Sequence, residues 1–305
     1  MEKFEVYILG CGSALPTLRH MPSSQLLNIR EKLYMIDCGE GAQLGFRRSR
    51  QKFMRLSHIF ISHLHGDHIF GLIGLLSTLS LAGRTAPIFI HAHAELEGLL
   101  RPQLDFFCKG IEYEVHIEPL PTGPGSQLVF EDRSVQVYSI PLRHRVPSCG
   151  FFFRERPAMP HIRRDMIDFL EIPYYAINDI KQGSGWTTAD GDHYDHSQLV
   201  VPAPAPRSYA YLSDTAYVPE NASFIEGVDV LYHEATFGKE YLRRAEETLH
   251  STAEQAALMA KAAHAKRLVI GHFSSRYDNE QCLLDEARTV FDRVTLANEQ
   301  MIIKV

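Results

Sequence analysis

Residues 57–68 read SHIFISHLHGDH: the run SHIFIS at 57–62 is followed at once by His63-Leu64-His65-Gly66-Asp67-His68. The run has the length and the Ile/Phe content of a strand, and IFGLIGLLSTLSLAG at 69–83 continues it as a largely buried helix that stops at Gly83. Three histidines and an aspartate therefore sit on a tight strand-to-helix turn. A regular element cannot turn all four toward one point, but a turn containing Gly66 can aim them at two adjacent centres. A single histidine at a strand end is commonly a solvated or hydrogen-bonded side chain. Four potential ligands within six residues are the pattern of a metal site.

Further ligands are expected where an α/β site draws its residues, at the C-terminal ends of strands. Asp214 ends RSYAYLSD (207–214), His272 ends the strand in KRLVIGHF (266–273), and His144 follows VQVYSI (135–140). With 63–68 these make five histidines and two aspartates, enough for two ions. Around them the chain opens with the strand FEVYIL (4–9), and QLLNI and LYMID flank Arg30-Glu31-Lys32, a turn of hairpin length. VDVLYHEA (228–235) is a further strand, and a helix is expected over 252–264. Ser251 with Glu254 three residues later reads as its capping box, with Ser251 at the N-cap. Strand, helix and strand in succession give an α/β layered architecture with helices outside.

Residues 157–206 break this pattern, with prolines at 157, 160, 173, 202, 204 and 206, a Gly/Ser/Asp-rich centre GSGWTTADGD, and one helical stretch, IRRDMIDFLEI. A structureless loop of that length inside a compact domain is improbable unless it has a function. An inserted arm over 157–206 is therefore expected within a domain made of 1–156 and 207–305.

The 305 residues are 45% hydrophobic, enough for one large domain or two intimately packed halves to bury a core. No apolar run approaches the roughly 18 residues of a membrane span. The first ten residues, MEKFEVYILG, read as a strand and not as a targeting segment. A cytoplasmic protein without a membrane partner is the expectation. Cys11, Cys38, Cys108, Cys149 and Cys282 are odd in number and never form a CxxC pair, against both a disulfide framework and a thiolate zinc site. They read as buried small hydrophobes. The formal net charge of −6 is a mild argument against a nucleic-acid partner. Two divalent ions would add about four positive charges and overturn it locally.

HLHGDH resembles the HxHxDH signature of the metallo-β-lactamase superfamily, and the spacing to His144, Asp214 and His272 is similar to that of its remaining ligands. The resemblance covers essentially the whole chain and implies an αββα sandwich. It also implies two zinc ions per chain: His63, His65 and His144 hold one, Asp67, His68 and His272 hold the other, and Asp214 bridges them. Zinc accepts such N/O donors, and two ions a few ångströms apart clamp the attacking and leaving oxygens of a displacement.

Within the superfamily, DCGEGAQ (37–43), HEATF (233–237), HSTAEQA (250–256) and GHFSSRY (271–277) are similar to motifs of the tRNase Z family. That resemblance implies an endoribonuclease that trims the 3′ end of precursor tRNA, leaving a tRNA 3′-hydroxyl and a trailer 5′-phosphate. It implies that Asp67 orients or deprotonates the attacking water and that His250, positioned by Glu234, protonates the leaving 3′ oxygen. It further implies a homodimer in which the arm of one subunit holds the tRNA cleaved by the other. The alternative reading of Glu234 is a member of a structural ion pair, and that of His250 a helix-entry histidine. Arg276, directly after a ligand strand, is a candidate to fork onto a substrate phosphate. The basic run FRRSRQKFMR (46–55) and the pair Arg143 and Arg145 beside His144 read as solvated faces.

The chain also departs from the family. Its arm stretch IPYYAINDIKQG (172–183) has the proline and the IKxG ending but no Gly-Pro pair, and Asp190, Asp192 and Asp195 make the arm less basic. Tyr174, Tyr175 and Trp186 either stack on bases or pack the arm. In GSALPTLRHMPSS (12–24), Leu18 stands where the family's CCA-sensing loop has a lysine. Two other readings use the same residues. An arylsulfatase-like or small-molecule phosphodiesterase would share the ligands and the HST histidine but has no need of a long arm. A non-catalytic scaffold of the same fold would be expected to have lost ligands, and here every one is present.

Overall fold

A computed structural model describes residues 2–305. Apart from four two-residue strands, the strands form two seven-stranded sheets. The first runs in the order Ile302–Lys304, Phe4–Gly10, Ser24–Ile29, Lys32–Cys38, Leu56–Phe60, Ile88–Ala92, Val115–Pro119. Its first four strands pair antiparallel and the rest parallel. The second runs Val294–Leu296, Leu268–Gly271, Val230–Glu234, Ser208–Leu212, Cys149–Glu155, Val135–Pro141, Gln127–Glu131.

Alternation along the first strand sets the layers. Phe4, Val6 and Ile8 enter one buried cluster together with Phe151, Phe153, Tyr209 and Tyr211 of the second sheet. Tyr7 and Leu9 point the other way, into a cluster with Phe46, Leu75, Leu76, Leu79 and Leu100 from the helices Ala42–Arg48, Leu72–Leu81 and Leu96–Phe107. A strand buried on both faces loses the polar alternation of an exposed sheet, which is why the sheet sequences read as nearly continuous apolar runs. The helices Ala253–Ala262 and Gln281–Arg288 contribute Ala256, Ala260, Leu283 and Ala287 to the cluster that contains the second sheet. This is the αββα sandwich. In the second sheet Ser208–Leu212, Val230–Glu234 and Leu268–Gly271 are mutually parallel. Their C-terminal ends therefore lie side by side.

Three local expectations are corrected. The helix expected over 69–83 is two helices, Gly66–Ile69 and Leu72–Leu81. At the break the Gly71 N–H donates to the Cys38 carbonyl, and a Cβ there would lie 2.1 Å from the Gly39 oxygen. The capping box lies one residue later than Ser251 and Glu254. Thr252 Oγ1 accepts from the Gln255 N–H while Gln255 Oε1 accepts from the Thr252 N–H, and Ser251 instead donates its hydroxyl to the Thr215 carbonyl. Cys282 is exposed, whereas the other four cysteines are buried.

Contacts divide the described residues into two compact units, one running up to Arg154 and resuming at Arg207–Val305, the other Glu155–Pro206. The second unit has its own small core of Leu170, Ile172, Ala176, Ile180, Leu199 and Val200. The helix expected in IRRDMIDFLEI is confined to Arg164–Phe169. Trp186 packs on this core, while Tyr174 and Tyr175 are 90% and 78% exposed. Among the described residues no helix is long and apolar enough to cross a membrane.

Candidate metal centre

The parallel strand ends deliver the donors. His63 and His65 follow Leu56–Phe60, Asp214 follows Ser208–Leu212, His272 follows Leu268–Gly271, and His144 lies in the loop after Val135–Pro141. Two groups result: His63, His65, His144 and Asp214, and Asp67, His68 and His272, with the donor atoms of each group within 4.8 Å of one another. His65 Nδ1 lies 3.0 Å from His63 Nε2 and 3.3 Å from His144 Nε2. Asp214 stands between the groups. Its Oδ1 lies 3.2 Å from His68 Nε2 and 3.1 Å from His272 Nε2, and its Oδ2 lies 3.6 Å from His63 Nε2 and 3.8 Å from His144 Nε2. All seven residues named from the sequence are thus brought together.

Whether these side chains suit metal ions is answered by their other ring nitrogens. His68 Nδ1 donates to Asp37 Oδ2 at 2.7 Å, His272 Nδ1 to Thr236 Oγ1 at 2.9 Å, His144 Nδ1 to the Leu249 carbonyl at 3.0 Å, and His63 Nδ1 to Ser62 Oγ at 3.1 Å. Each of these bonds places a proton on Nδ1 and turns Nε2 toward the centre, the orientation in which an imidazole ligates. His68 Nε2 and His272 Nε2 are buried without a hydrogen-bond partner. A buried nitrogen without a partner costs about 1–3 kcal/mol, which a cation would offset. The donor set fits two N/O-ligated ions.

Asp37 and Thr236 were not singled out in the sequence. Asp37 is fully buried, and besides His68 it accepts from the Ser62 N–H, the Ser62 hydroxyl and the Tyr211 hydroxyl. Its signal was present in DCGE, as an acid closing the otherwise buried strand KLYMIDC.

Burial is the largest influence on His63, His65, His144, Asp214, Asp67 and His68. It holds His63, His65 and His144 below the usual histidine range, as neutral ligands require. It works to raise Asp214, but the charges of His272, His68 and His63 outweigh it and keep the carboxyl well below its usual range. Asp67 is likewise opposed by burial and is lowered by the nearby His272 ring, 3.7 Å away, and by the charge of His68. His68 is raised against burial by Asp214 and Asp37. A cation at Nε2 would displace that proton, since the Nδ1 proton stays with Asp37.

Beside the donors, His250 Nδ1 lies 2.8 Å from Glu234 Oε1. Glu234 is fully buried and also accepts from the Thr215 N–H, the Thr236 N–H and the Thr236 hydroxyl. Burial would lower His250, but the Glu234 carboxylate lifts it to about 9, and His250 in turn helps hold Glu234 at about 2. The pair is a buried ion pair aimed at the centre, since His250 stacks on His272 with ring centroids 5.5 Å apart.

His65, Asp67, His144, Asp214 and His250 line a cavity of about 280 Å³ with Ser13, Ala14, Leu15, Arg145, Arg244 and Arg276. Ala14 N donates to Asp67 Oδ2 at 2.8 Å, tying the loop after the first strand to the site. The Arg276 guanidinium lies over Phe237 and Tyr241, 4.8 and 4.5 Å from the ring centroids, and Nε donates to Ser274 Oγ. Arg143 lines a neighbouring cavity.

A family model described as a beta-lactamase superfamily domain matches residues 177–273, and one described as anti-Pycsar protein Apyc1 matches residues 4–156. The metallo-beta-lactamase fold protein YhfI of Bacillus subtilis superposes with a TM-score of 0.70 over 100% of both chains at 19% identity. Fold and donor set together define a protein of the metallo-β-lactamase superfamily. Relatives matched end to end are more specific: ribonuclease Z of Phocaeicola vulgatus is 56% identical, covering 100% of this chain and 98% of that one. Human tRNase Z, short form, superposes with a TM-score of 0.71 at 28% identity over 98% of both chains. The chain belongs to the ribonuclease Z family.

Proposed function

We propose that this chain is a two-zinc endoribonuclease that removes the 3′ trailer from precursor tRNA, leaving a tRNA 3′-hydroxyl and a trailer 5′-phosphate. The observation that carries the reading is the placement of Asp214, with one oxygen toward each donor group, beside the Glu234–His250 pair. His63, His65 and His144 would hold one ion, Asp67, His68 and His272 the other, with Asp214 shared. Zinc bound there supplies Lewis-acid polarisation of the phosphodiester and lowers the pKa of water at the site.

The chain supplies the rest. Asp67, kept ionised and fixed by the Ala14 N–H, orients the attacking water or takes its proton. His250 carries a proton at neutral pH, its Nδ1–H held by Glu234, so Nε2–H is the group that protonates the departing 3′ oxygen. Arg276, held over the Phe237 and Tyr241 rings, presents donors to a substrate phosphate. The arm over 157–206 serves as an exosite that grips tRNA, an assignment supported by its exposed Tyr174 and Tyr175. A cytoplasmic homodimer, one subunit's arm holding the tRNA cleaved by the other, belongs to the same reading.

Incubation of an unprocessed tRNA transcript with the zinc-loaded protein, followed by mapping of both product ends, tests the proposal. Products ending in 2′,3′-cyclic phosphate would refute the mechanism, because they require the ribose 2′-hydroxyl as nucleophile.

A further inference from the structure

Several arginines elsewhere on this chain are closed onto carboxylates at short range, Arg30 on Glu2 at 2.8 Å, Arg55 on Glu31 at 2.7 Å and Arg163 on Asp165 at 2.7 Å, while Arg84 is closed onto the Ala86 and Pro87 carbonyls. The cavity that holds the donors is different. Arg145 reaches the Glu247 carbonyl at 3.3 Å, and Arg244 lies 3.7 Å from the Glu247 carboxylate, which Arg243 approaches more closely at 3.2 Å. Glu247 thus gathers two exposed guanidinium groups at one wall of the cavity without closing on either. In a chain of net charge −6, this is a local concentration of positive charge with donors left for a ligand. Arg145 and His144 also line the neighbouring cavity of about 440 Å³, together with Arg143. A strand leaving the metal centre therefore has a continuous route past Arg145.

We propose that Arg145 and Arg244 form a second phosphate subsite, additional to Arg276, that takes a phosphodiester of the RNA strand next to the scissile one. The inference rests on the endoribonuclease reading and deepens it, since a single small phosphodiester has no second phosphate to offer. Planar guanidinium groups bind phosphate oxygens in pairs and release counterions as they do so, so the subsite has a salt signature. Arg243, 93% exposed at its side chain, precedes Arg244 on the same helix and is absent from the cavity wall. It is the internal control for charge alone.

The test measures binding of a fluorescent phosphorothioate RNA strand, which keeps every backbone charge and resists hydrolysis, to the zinc-loaded protein across a salt series. Arg145→Ala and Arg244→Ala should each weaken binding roughly tenfold at low salt and flatten the slope of log K against log salt by about 0.7. Arg244→Lys should keep the slope. Arg243→Ala should leave slope and affinity near wild type. An unchanged slope in both Arg145→Ala and Arg244→Ala, or an equal loss in Arg243→Ala, overturns the subsite. Precursor tRNA cleavage by the wild-type protein is scored in parallel. Strand binding with the expected slopes but no cleavage would retain the subsite and remove the tRNA-processing reading, and cleavage with unchanged slopes would do the reverse.

Discussion

Asp37 is the residue whose replacement says most about how the centre is held. In the wild type, Oδ2 accepts three donors, His68 Nδ1–H, the Ser62 hydroxyl and the Tyr211 hydroxyl, and Oδ1 accepts the Ser62 N–H. Asparagine at this position would keep its oxygen on the three-donor side, because the alternative sets its NH₂ against three donors. That choice points the NH₂ at the Ser62 N–H. Two buried donors then lose their acceptor, at about 1–3 kcal/mol each, while the three remaining bonds lose the assistance of the charge. A loss of about 2–6 kcal/mol is expected, a large fraction of the 5–15 kcal/mol of a typical domain. The second effect falls on the metal. A weaker hold on Nδ1–H lets the His68 ring turn and makes it a poorer ligand, for which loss of such an orienting partner typically costs 10–100-fold in affinity.

Urea unfolding in the presence of a chelator measures the first quantity for Asp37→Asn, and competition of the folded protein against a zinc indicator measures the second. A variant with the wild-type midpoint and wild-type zinc affinity would refute the reasoning that Asp37 fixes the His68 tautomer. A fall in stability alone would make Asp37 a core group with no hold on the metal.

Other outcomes follow from the same geometry. His65→Ala should lose zinc and activity together, whereas His250→Ala should retain both ions by elemental analysis and lose kcat by roughly a hundredfold or more. Full activity of His250→Ala on precursor tRNA would remove its assignment as the acid. Replacing residues 160–200 by a short Gly/Ser linker should raise KM for precursor tRNA strongly while zinc content and hydrolysis of a small chromogenic phosphodiester are largely retained. A parallel fall of both activities would assign the arm to organisation of the active site. His20 is raised above its ordinary value by its hydrogen bond to Glu299, and burial opposes this. Its contribution to stability is full below the unfolded pKa of about 6.5 and is lost as pH rises through the higher folded value. His20→Gln should therefore flatten the decline of Tm on the alkaline side of pH 6.5, and an unchanged profile would refute the linkage.

The parts legible in the sequence are those written in contiguous residues. FEVYIL, SHIFIS and RSYAYLSD declare strands because β-branched and aromatic residues are packed into runs of strand length. HLHGDH points to a metal site because four potential ligands are crowded onto one turn. What each of those donors is held by was not legible, even where the holding residue, as in DCGE, was unusual for its place. Asp37 lies 31 positions before His68, and only the parallel pairing of Lys32–Cys38 with Leu56–Phe60 brings the two strand ends together. The group that orients His144 is the Leu249 carbonyl, 105 positions away, and a backbone oxygen leaves no mark in residue identity. Arg244 was hidden differently: within LRRAEET it looks like any exposed charge, and only the helix phase separates it from Arg243. The misplaced helix cap has the same origin. Ser251 satisfies the local pattern, but its hydroxyl is drawn to the Thr215 carbonyl beside the dyad, and Thr252 takes over the cap.

The backbone shows what the arrangement demands. Asp37, Asp214 and His272 have φ of 54°, 36° and 60°, in the left-handed region that favours glycine. Each such position carries about 1–3 kcal/mol of strain and persists only where the surroundings over-determine it. All three close or follow parallel strands, where an ordinary extended residue would carry its side chain onward with the strand. A single left-handed residue turns the chain sharply and swings the carboxylate or imidazole back over the strand ends. Glycine would relieve the strain but has no donor atom to offer. The hydrogen bonds that fix these residues, four to Asp37, the Ser213 hydroxyl to Asp214 and His272 Nδ1–H to the Thr236 hydroxyl oxygen, are therefore what keep the strained turns from relaxing. Thr236 in turn donates to Glu234, so one hydroxyl couples His272 of the donor cluster to the carboxylate that charges His250. Replacement of that threonine by valine would disturb metal and acid together, which distinguishes a shared support from two independent ones.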